Sequence, residues 1–312
     1  MPIDPKGPPR SPRPANIRIT SRDLEILLSI AQNQFLTTSQ INALHFPSIH
    51  RTRKRLRQLH ENKYASRLKI PFGLETLASE SVYTIKKAGL QLLQLRGMVP
   101  EAIFIPKVRR RPGTLLFLSH TLMRNSFRIA LEHAIKNNPQ VSLHDWRHDN
   151  TITQYVLLPD SKSQSVRRVA LKADALFRLE RENRGFECYL EVDNGTMALT
   201  RLITKMNAYH KWHLSSRQTP SRKSIRRRFL ILTFSKRRAK NIASKMTSLA
   251  RTSLSHSTWL VAYVERTELI KTNVLTGLSW YQPTPSGLRE VTLDQEMSQI
   301  VARQKGQYEL YL

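Results

Sequence analysis

Cysteine, acids and long apolar runs are scarce in this sequence, and each shortage narrows what the chain does. A single cysteine, Cys188, among 312 residues excludes an internal disulfide and a cysteine-based zinc site. No apolar stretch approaches the roughly 18–20 residues that span a bilayer, and no lipidation motif is visible. The start of the chain lacks the apolar core of a secretory signal, so the cytoplasm is the expected compartment. The absence of a glycine-rich phosphate loop argues against an ATPase. Acids number 23 against 51 Lys and Arg, a formal net charge of +28, and none stands between Asp193 and Glu265. Such a balance points to a polyanionic partner, with double-stranded DNA the leading candidate and no membrane role expected.

What is present suggests two domains. The length is about twice that of a usual domain, and 40% hydrophobic residues supply enough apolar material for two cores. Residues 1–16, rich in Pro, Gly and Arg, read as a disordered basic tail. Over 17–98 the signals run helix, helix, helix, strand, loop, strand, helix, which is the order of a winged helix-turn-helix domain. Thr20 or Ser21 caps the first helix, Thr37 or Thr38 the second, and Pro47 with Ser48 opens the third. YASRLKI and SVYTI have strand composition, and PFGLETLASE between them has the length of a wing.

The third helix is the candidate reader of DNA. On a helical wheel Ile49, Thr52, Leu56 and Leu59 share one face, and His50, Arg51, Lys54, Arg57 and Gln58 share the other. In the major groove Arg and Lys donate to guanine and Gln bonds adenine. Arg51 and Lys54, nearest the helix start, are the first choices for base contacts. The plainer alternative is a solvated basic face. A homodimer would read two half-sites spaced by about one helical turn.

Residues 99–112, with three prolines and Arg109–Arg111, read as a linker. From 113 to 312 a long helix leads into strands and then alternating helices and strands, which predicts an α/β or α+β domain with a mixed sheet. VALKADALFRL is expected as one strand, with Lys172 and Asp174 on its polar face. FECYLEVD is expected as the next, with Glu187, Tyr189, Glu191 and Asp193 sharing a face. A hairpin pairing Leu179 with Phe186 sets Asp174 across from Glu191, with Cβ atoms about 4.5–5.5 Å apart. Two carboxylates so close repel unless a cation lies between them, and Mg²⁺ suits an oxygen site of this kind. The following helix carries Lys205 and Tyr209 one turn apart. The same register puts Lys172 opposite Asp193, so a salt-bridged exposed sheet surface without metal is the competing reading. Farther on, Arg226, Arg227, Arg237 and Arg238 lie in the acid-free stretch and are expected to contact phosphates. Cys188, Trp212, Trp259 and Trp280 are expected in the core.

KADALFRL, YLEVDNGT, the helix with Lys205 and Tyr209, and the helical LSHTLMRN containing His120 and Asn125 resemble the replication-relaxation family of plasmids and integrative elements. The resemblance runs from about Ile17 to the last strands. It implies an N-terminal winged helix followed by a domain similar to PD-(D/E)XK nucleases, acting in plasmid replication or DNA relaxation. On that pattern Asp174 and Glu191 are the metal-binding acids, Lys205 is a catalytic lysine moved onto the helix, and Asp193 and Tyr209 lie around them. Two positions depart from it: Asp193 stands where the nuclease pattern has lysine, and Ala173 where it has proline. The alternative from another class is a non-catalytic initiator or transcriptional regulator that uses the nuclease-like fold as a scaffold.

Overall fold

The structure, a computed structural model, describes residues 17–68, 80–100, 112–148, 152–159, 165–217, 226–250, 258–284 and 286–309. The expected tail, residues 101–111 of the expected linker, and all of the wing except Glu80 lie outside the described residues. Two compact units divide between Asn125 and Ser126, inside helix α5 (Pro112–Lys136).

In the first unit α1 (Ser21–Asn33) begins in a reciprocal cap: Asp23 N–H donates to Thr20 Oγ1, and Thr20 N–H donates to Asp23 Oδ2 at 2.7 Å. Thr37 and Gln40 repeat the device at α2 (Thr38–His45). Helix α3 (Ile49–Glu61) follows Pro47, and Thr52 Oγ1 donates to Asn42 Oδ1 (2.9 Å), fastening α3 to α2. A two-residue strand, β1 (Leu36–Thr37), was not visible as a periodic signal. It pairs with β3 (Val82–Ile85), which also pairs antiparallel with β2 (Ala65–Leu68). Helix α4 (Lys87–Leu95) lies so close to the preceding chain that a Cβ on Gly89 would stand 2.3 Å from the Tyr64 carbonyl oxygen. Ile26, Ile30, Leu56, Leu59 and Leu93 fill the core between these elements. Three helices, a three-stranded antiparallel sheet and a closing helix make this unit a winged helix.

The second unit is built on a seven-stranded mixed sheet in the order β12-β11-β10-β9-β8-β7-β4. These strands are β4 (Val141–His148), β7 (Ala175–Arg181), β8 (Arg184–Asp193), β9 (Arg227–Thr233), β10 (Trp259–Tyr263), β11 (Trp280–Thr284) and β12 (Gly287–Val291). Strands β8, β9 and β10 are parallel, and the outer pairs are antiparallel. Helices α6 (Leu199–Arg217) and α7 (Lys236–Ala250) make the two crossovers. Leu202, Met206 and Tyr209 from α6 and Ile242 and Met246 from α7 pack with Tyr189, Phe229, Ile231 and Trp259 of the sheet. On the opposite face Phe127 of α5 meets Phe177 and Trp280. Helix α8 (Leu293–Glu309) runs beside β7 and β8. Burying both sheet faces explains the near-continuous apolar composition of β9 and β10. Cys188, Trp212, Trp259 and Trp280 are buried, as expected.

Two sequence expectations are corrected here. The stretch VALKADALFRL is not one strand. It divides into β6 (Val166–Leu171), which pairs with β5 (Gln154–Pro159) in a separate two-stranded ribbon, and β7, which enters the large sheet. Alternation of Val169, Leu171, Ala173 and Ala175 continues through the break, so periodicity alone did not expose it. The acid-bearing face of β8 is also not an exposed sheet surface: Glu191 and Asp193 are buried, and Asp193 pairs with Arg238.

Candidate functional site

The exposed side of α3 comes first because helical periodicity alone determines it. Thr52, Leu56 and Leu59 are buried, while His50, Arg51, Lys54 and Arg57 are exposed and Gln58 half-buried. None of these cations pairs with an acid among the described residues. Arg55, on the same helix, does: Nε donates to Asp23 Oδ1 at 2.6 Å and an NH₂ nitrogen bonds Asp23 Oδ2. Its other nitrogen donates to Gln58 Oε1 (2.9 Å), so Gln58 enters the reading face already held. Burial, the largest influence on Asp23, would raise its pKa, but donors from Arg55 and Thr20 outweigh it and hold the carboxyl below its ordinary value. Arg22, Phe46, Arg51, Lys54 and Arg55 line a cavity of about 530 Å³ beside this pair.

The Asp23–Arg55 fastening was missed in the sequence, where Asp23 reads as an ordinary first-turn acid. An acid of one helix and a cation of another, 32 residues apart, leave no local pattern. Asn125 was singled out as part of a motif, and its placement is specific. It is buried in the first unit, donating to the Asn33 and Phe35 carbonyls at 3.0 and 2.7 Å, where the chain leaves α1 through Gln34 at φ 66°. Such a side chain adds to the bonding of a helix end, where the Asn33 carbonyl also accepts from Phe35 N–H.

The carboxylate site rests on the β7–β8 hairpin. Its two-residue turn, Glu182–Asn183, has φ of 52° and 58°, the positive values of a type I′ turn. That turn fixes the pairing from Arg181↔Arg184 through Leu179↔Phe186 to Ala175↔Leu190. Asp174 stands just outside this paired stretch, near enough to Glu191 for the two charges to act on each other. Its backbone N–H donates to Leu190 O (2.8 Å), and its Oδ2 accepts from Val192 N–H (2.7 Å). From α6, Lys205 Nζ donates to Glu191 Oε2 at 2.6 Å and to Lys172 O at 3.0 Å. The chain break at Lys172–Asp174 thus provides a carbonyl for the lysine and turns Asp174 toward β8.

Glu191 Oε1 and the Tyr209 hydroxyl are both buried and, without a well-formed hydrogen bond to any group, lie close enough to act on each other: the hydroxyl favours the Glu191 carboxylate and the carboxylate raises the phenol. Burial pushes the Glu191 carboxyl up to about 7; Lys205 opposes that rise and Asp174 adds to it. Burial works against the charge on Lys205, but Glu191 and Asp174 raise its pKa overall. Tyr209 is raised chiefly by burial and then by Glu191, so its phenol stays protonated. No cluster of three or more His, Cys, Asp or Glu with metal-ligand placement occurs among the described residues. The donor set is therefore two carboxylates, with one buried oxygen atom uncommitted.

The remaining candidates separate. Asp193 is paired with Arg238, which donates to both of its oxygens and to Met197 O, tying the end of β8 to α7. Arg227 is only 2% exposed, bonded to Glu187 and Ser216 and lying over Trp212. Both arginines are engaged inside the fold, unlike the phosphate-facing role expected from charge alone. Arg226 is half-buried, and Arg237 is exposed at the start of α7.

No helix among the described residues is long and apolar enough to cross a membrane. Comparison with curated proteins and with solved structures gives no match. A family model described as replication-relaxation matches residues 27–227, from α1 to the first residue of β9 and across the carboxylate site. With well over half of its length matched, the chain belongs to the replication-relaxation family.

Proposed function

We propose that the chain is a DNA-binding protein of a plasmid or integrative element that docks on duplex DNA through α3 and acts there in replication or relaxation. The observation that carries this reading is the division of α3 into a buried apolar face and an exposed face of His50, Arg51, Lys54 and Arg57 without acid partners among the described residues. Such a helix, third in a winged helix, fits the major groove. Replacing Arg51 and Lys54 with Ala should remove sequence preference in footprinting and leave weak, salt-sensitive binding. Retention of the same footprint would sink the assignment of α3.

At the second unit the reading is Mg²⁺-dependent phosphodiester cleavage by Asp174, Glu191 and Lys205. The fit rests on the uncommitted buried Glu191 Oε1 beside a second carboxylate and on a lysine within bonding distance of the same group. Asp174 and Glu191 would hold the ion. When bound, Mg²⁺ supplies Lewis acidity and a more acidic water. Lys205 keeps a positive charge at the edge of the pair, where it can orient a phosphate oxygen, and Tyr209 holds a protonated hydroxyl against the site. Asp193 takes no part beyond its Arg238 clasp.

A second reading is favoured by one observation: Lys205 already neutralises Glu191, so the buried pair can persist as a scaffold without metal. Incubating supercoiled plasmid with the chain, with and without Mg²⁺, separates the two. Nicking that needs Mg²⁺ and is lost in Lys205→Ala supports cleavage, and intact plasmid under both conditions leaves the scaffold.

A further inference from the structure

The β5–β6 ribbon presents one apolar face inward and a second outward. Register pairs Val156 with Val169 and Gln154 with Leu171 on the inner side, where Val156 and Leu171 are buried against the core that includes Leu202 and Met206 of α6. The outer side pairs Tyr155 with Ala170 and Leu157 with Arg168. Leu157 is 68% exposed, Val166 62% and Tyr155 49%. These are three of the five large apolar side chains exposed among the described residues of the second unit. The Arg168 guanidinium lies 3.7 Å from the Tyr155 ring centroid, and Arg167, also exposed, follows the register of the other side.

From this face we infer a second DNA contact, one that takes unpaired or unstacked bases next to the carboxylate site. The inference rests on the DNA-binding reading above and adds the form of DNA to it. Charge argues for a polyanion: neither strand of the ribbon carries an acid, and Arg168 stands within the apolar face, paired with Leu157 and over the Tyr155 ring. A phosphate backbone alone needs only cations. A ring held by a guanidinium, with Leu157 and Val166 beside it, offers apolar area that suits base faces, as in wedges that unstack a step and in single-strand stacking platforms. A second copy of the chain would bring Arg168 against its own counterpart with no acid on either strand to receive it. Placement supports the same occupant, since β6 continues through Lys172, whose carbonyl holds Lys205, directly into Asp174.

The test uses the full chain and two labelled duplexes of one sequence, fully paired or carrying a short central mismatched bubble, read by fluorescence anisotropy. A 2-aminopurine in the bubble reports unstacking. The wild type should bind the bubble about tenfold more tightly than the duplex, the order of one base-stacking interaction. Tyr155→Ser with Leu157→Ser should bring that ratio close to one and remove the 2-aminopurine response. Leu157→Ser alone keeps the Tyr155–Arg168 pair and should lower the ratio by less, so a poorly folded double variant does not decide the matter. A wild type that binds duplex with no bubble preference, or variants that keep the preference, overturn the ribbon proposal alone. A wild type that binds neither DNA overturns the DNA-binding reading with it. Variants that keep the preference but convert a wild-type dimer to monomer assign the face to a second copy and overturn the proposal.

Discussion

Each unit of the molecule buries a carboxylate against a cation at its candidate site, Asp23 with Arg55 in the winged helix and Glu191 with Lys205 in the mixed-sheet unit, and these two acids shift in opposite directions. Burial raises both. Asp23 also receives two bonds from a forked guanidinium and two from Thr20, so both of its oxygens are engaged. Glu191 receives one bond from an ammonium, has only the Tyr209 hydroxyl beside it as a further donor, and faces the charge of Asp174. Asp23 has donors enough to overcome its burial, whereas at Glu191 heavier burial and the charge of Asp174 outweigh Lys205, so the signs differ. A carboxylate with all its donors is a fastener, and one with an atom to spare is suited to take another cation.

The strongest way to break this comparison is pH. The folded value of Glu191, about 7, lies above its ordinary 4.5, so its contribution to stability is fully present below about pH 4.5 and is lost as pH rises through 7. Asp23, held below its ordinary 3.8, contributes above that value and loses its contribution as pH falls further. Between pH 4.5 and 7 unfolding should therefore show a loss on the order of 3 kcal/mol with rising pH, removed in Glu191→Gln. A flat profile for both proteins would mean that Glu191 is ionised and fully compensated.

Next in size is the fastener itself. Asp23→Ala removes the carboxylate half of the reciprocal cap with Thr20 and leaves Arg55 without its acid, a cost of about 2 kcal/mol. Chemical denaturation of the variant should report it, and footprints should weaken because Arg55 also holds Gln58. Full stability in the variant would make the Asp23–Arg55 pair incidental.

The comparison also explains what was legible in the sequence. Capping by Thr20 and Thr37 and the two faces of α3 were readable because a helix repeats its environment every few residues. The turn at 181–184 carried the expected register as far as Ala175↔Leu190, since hairpin pairing is local, and beyond it Asp174 leaves the ladder with its N–H on Leu190 O. The break after Leu171 was hidden, because Ala173 keeps the alternation while the backbone leaves the strand. The partners of Arg227 and Arg238 were hidden too. Glu187 and Asp193 lie 40 and 45 residues away in sequence, so an acid-free stretch looked unpaired although its acids sit on a neighbouring strand. Net charge counted these arginines correctly and placed them wrongly.

A smaller effect is expected from metal. If Asp174 and Glu191 hold a divalent ion, Mg²⁺ at about ten times its Kd should stabilise the wild type by about 1.4 kcal/mol, seen as a rise in Tm. Asp174→Asn should abolish the rise, and Lys205→Ala should keep it while losing any nicking. An equal rise in wild type and Asp174→Asn would place the ion elsewhere.

The smallest effect in stability discriminates between arginines that composition treats as equals. Arg237 is exposed at the start of α7, so Arg237→Ala should change stability by no more than about 0.5 kcal/mol. Each cation withdrawn from the phosphate backbone lowers the slope of log affinity against log salt by about 0.9, so this variant should flatten it by nearly one unit if the side chain meets DNA. Arg227, enclosed by Glu187, Ser216 and Trp212, has no route to a phosphate. Arg227→Gln should lower stability and leave the slope where it was. Identical slopes for wild type and Arg237→Ala would withdraw the start of α7 from the DNA surface. A slope that falls in Arg227→Gln would mean the buried guanidinium swings out, against the packing that holds it.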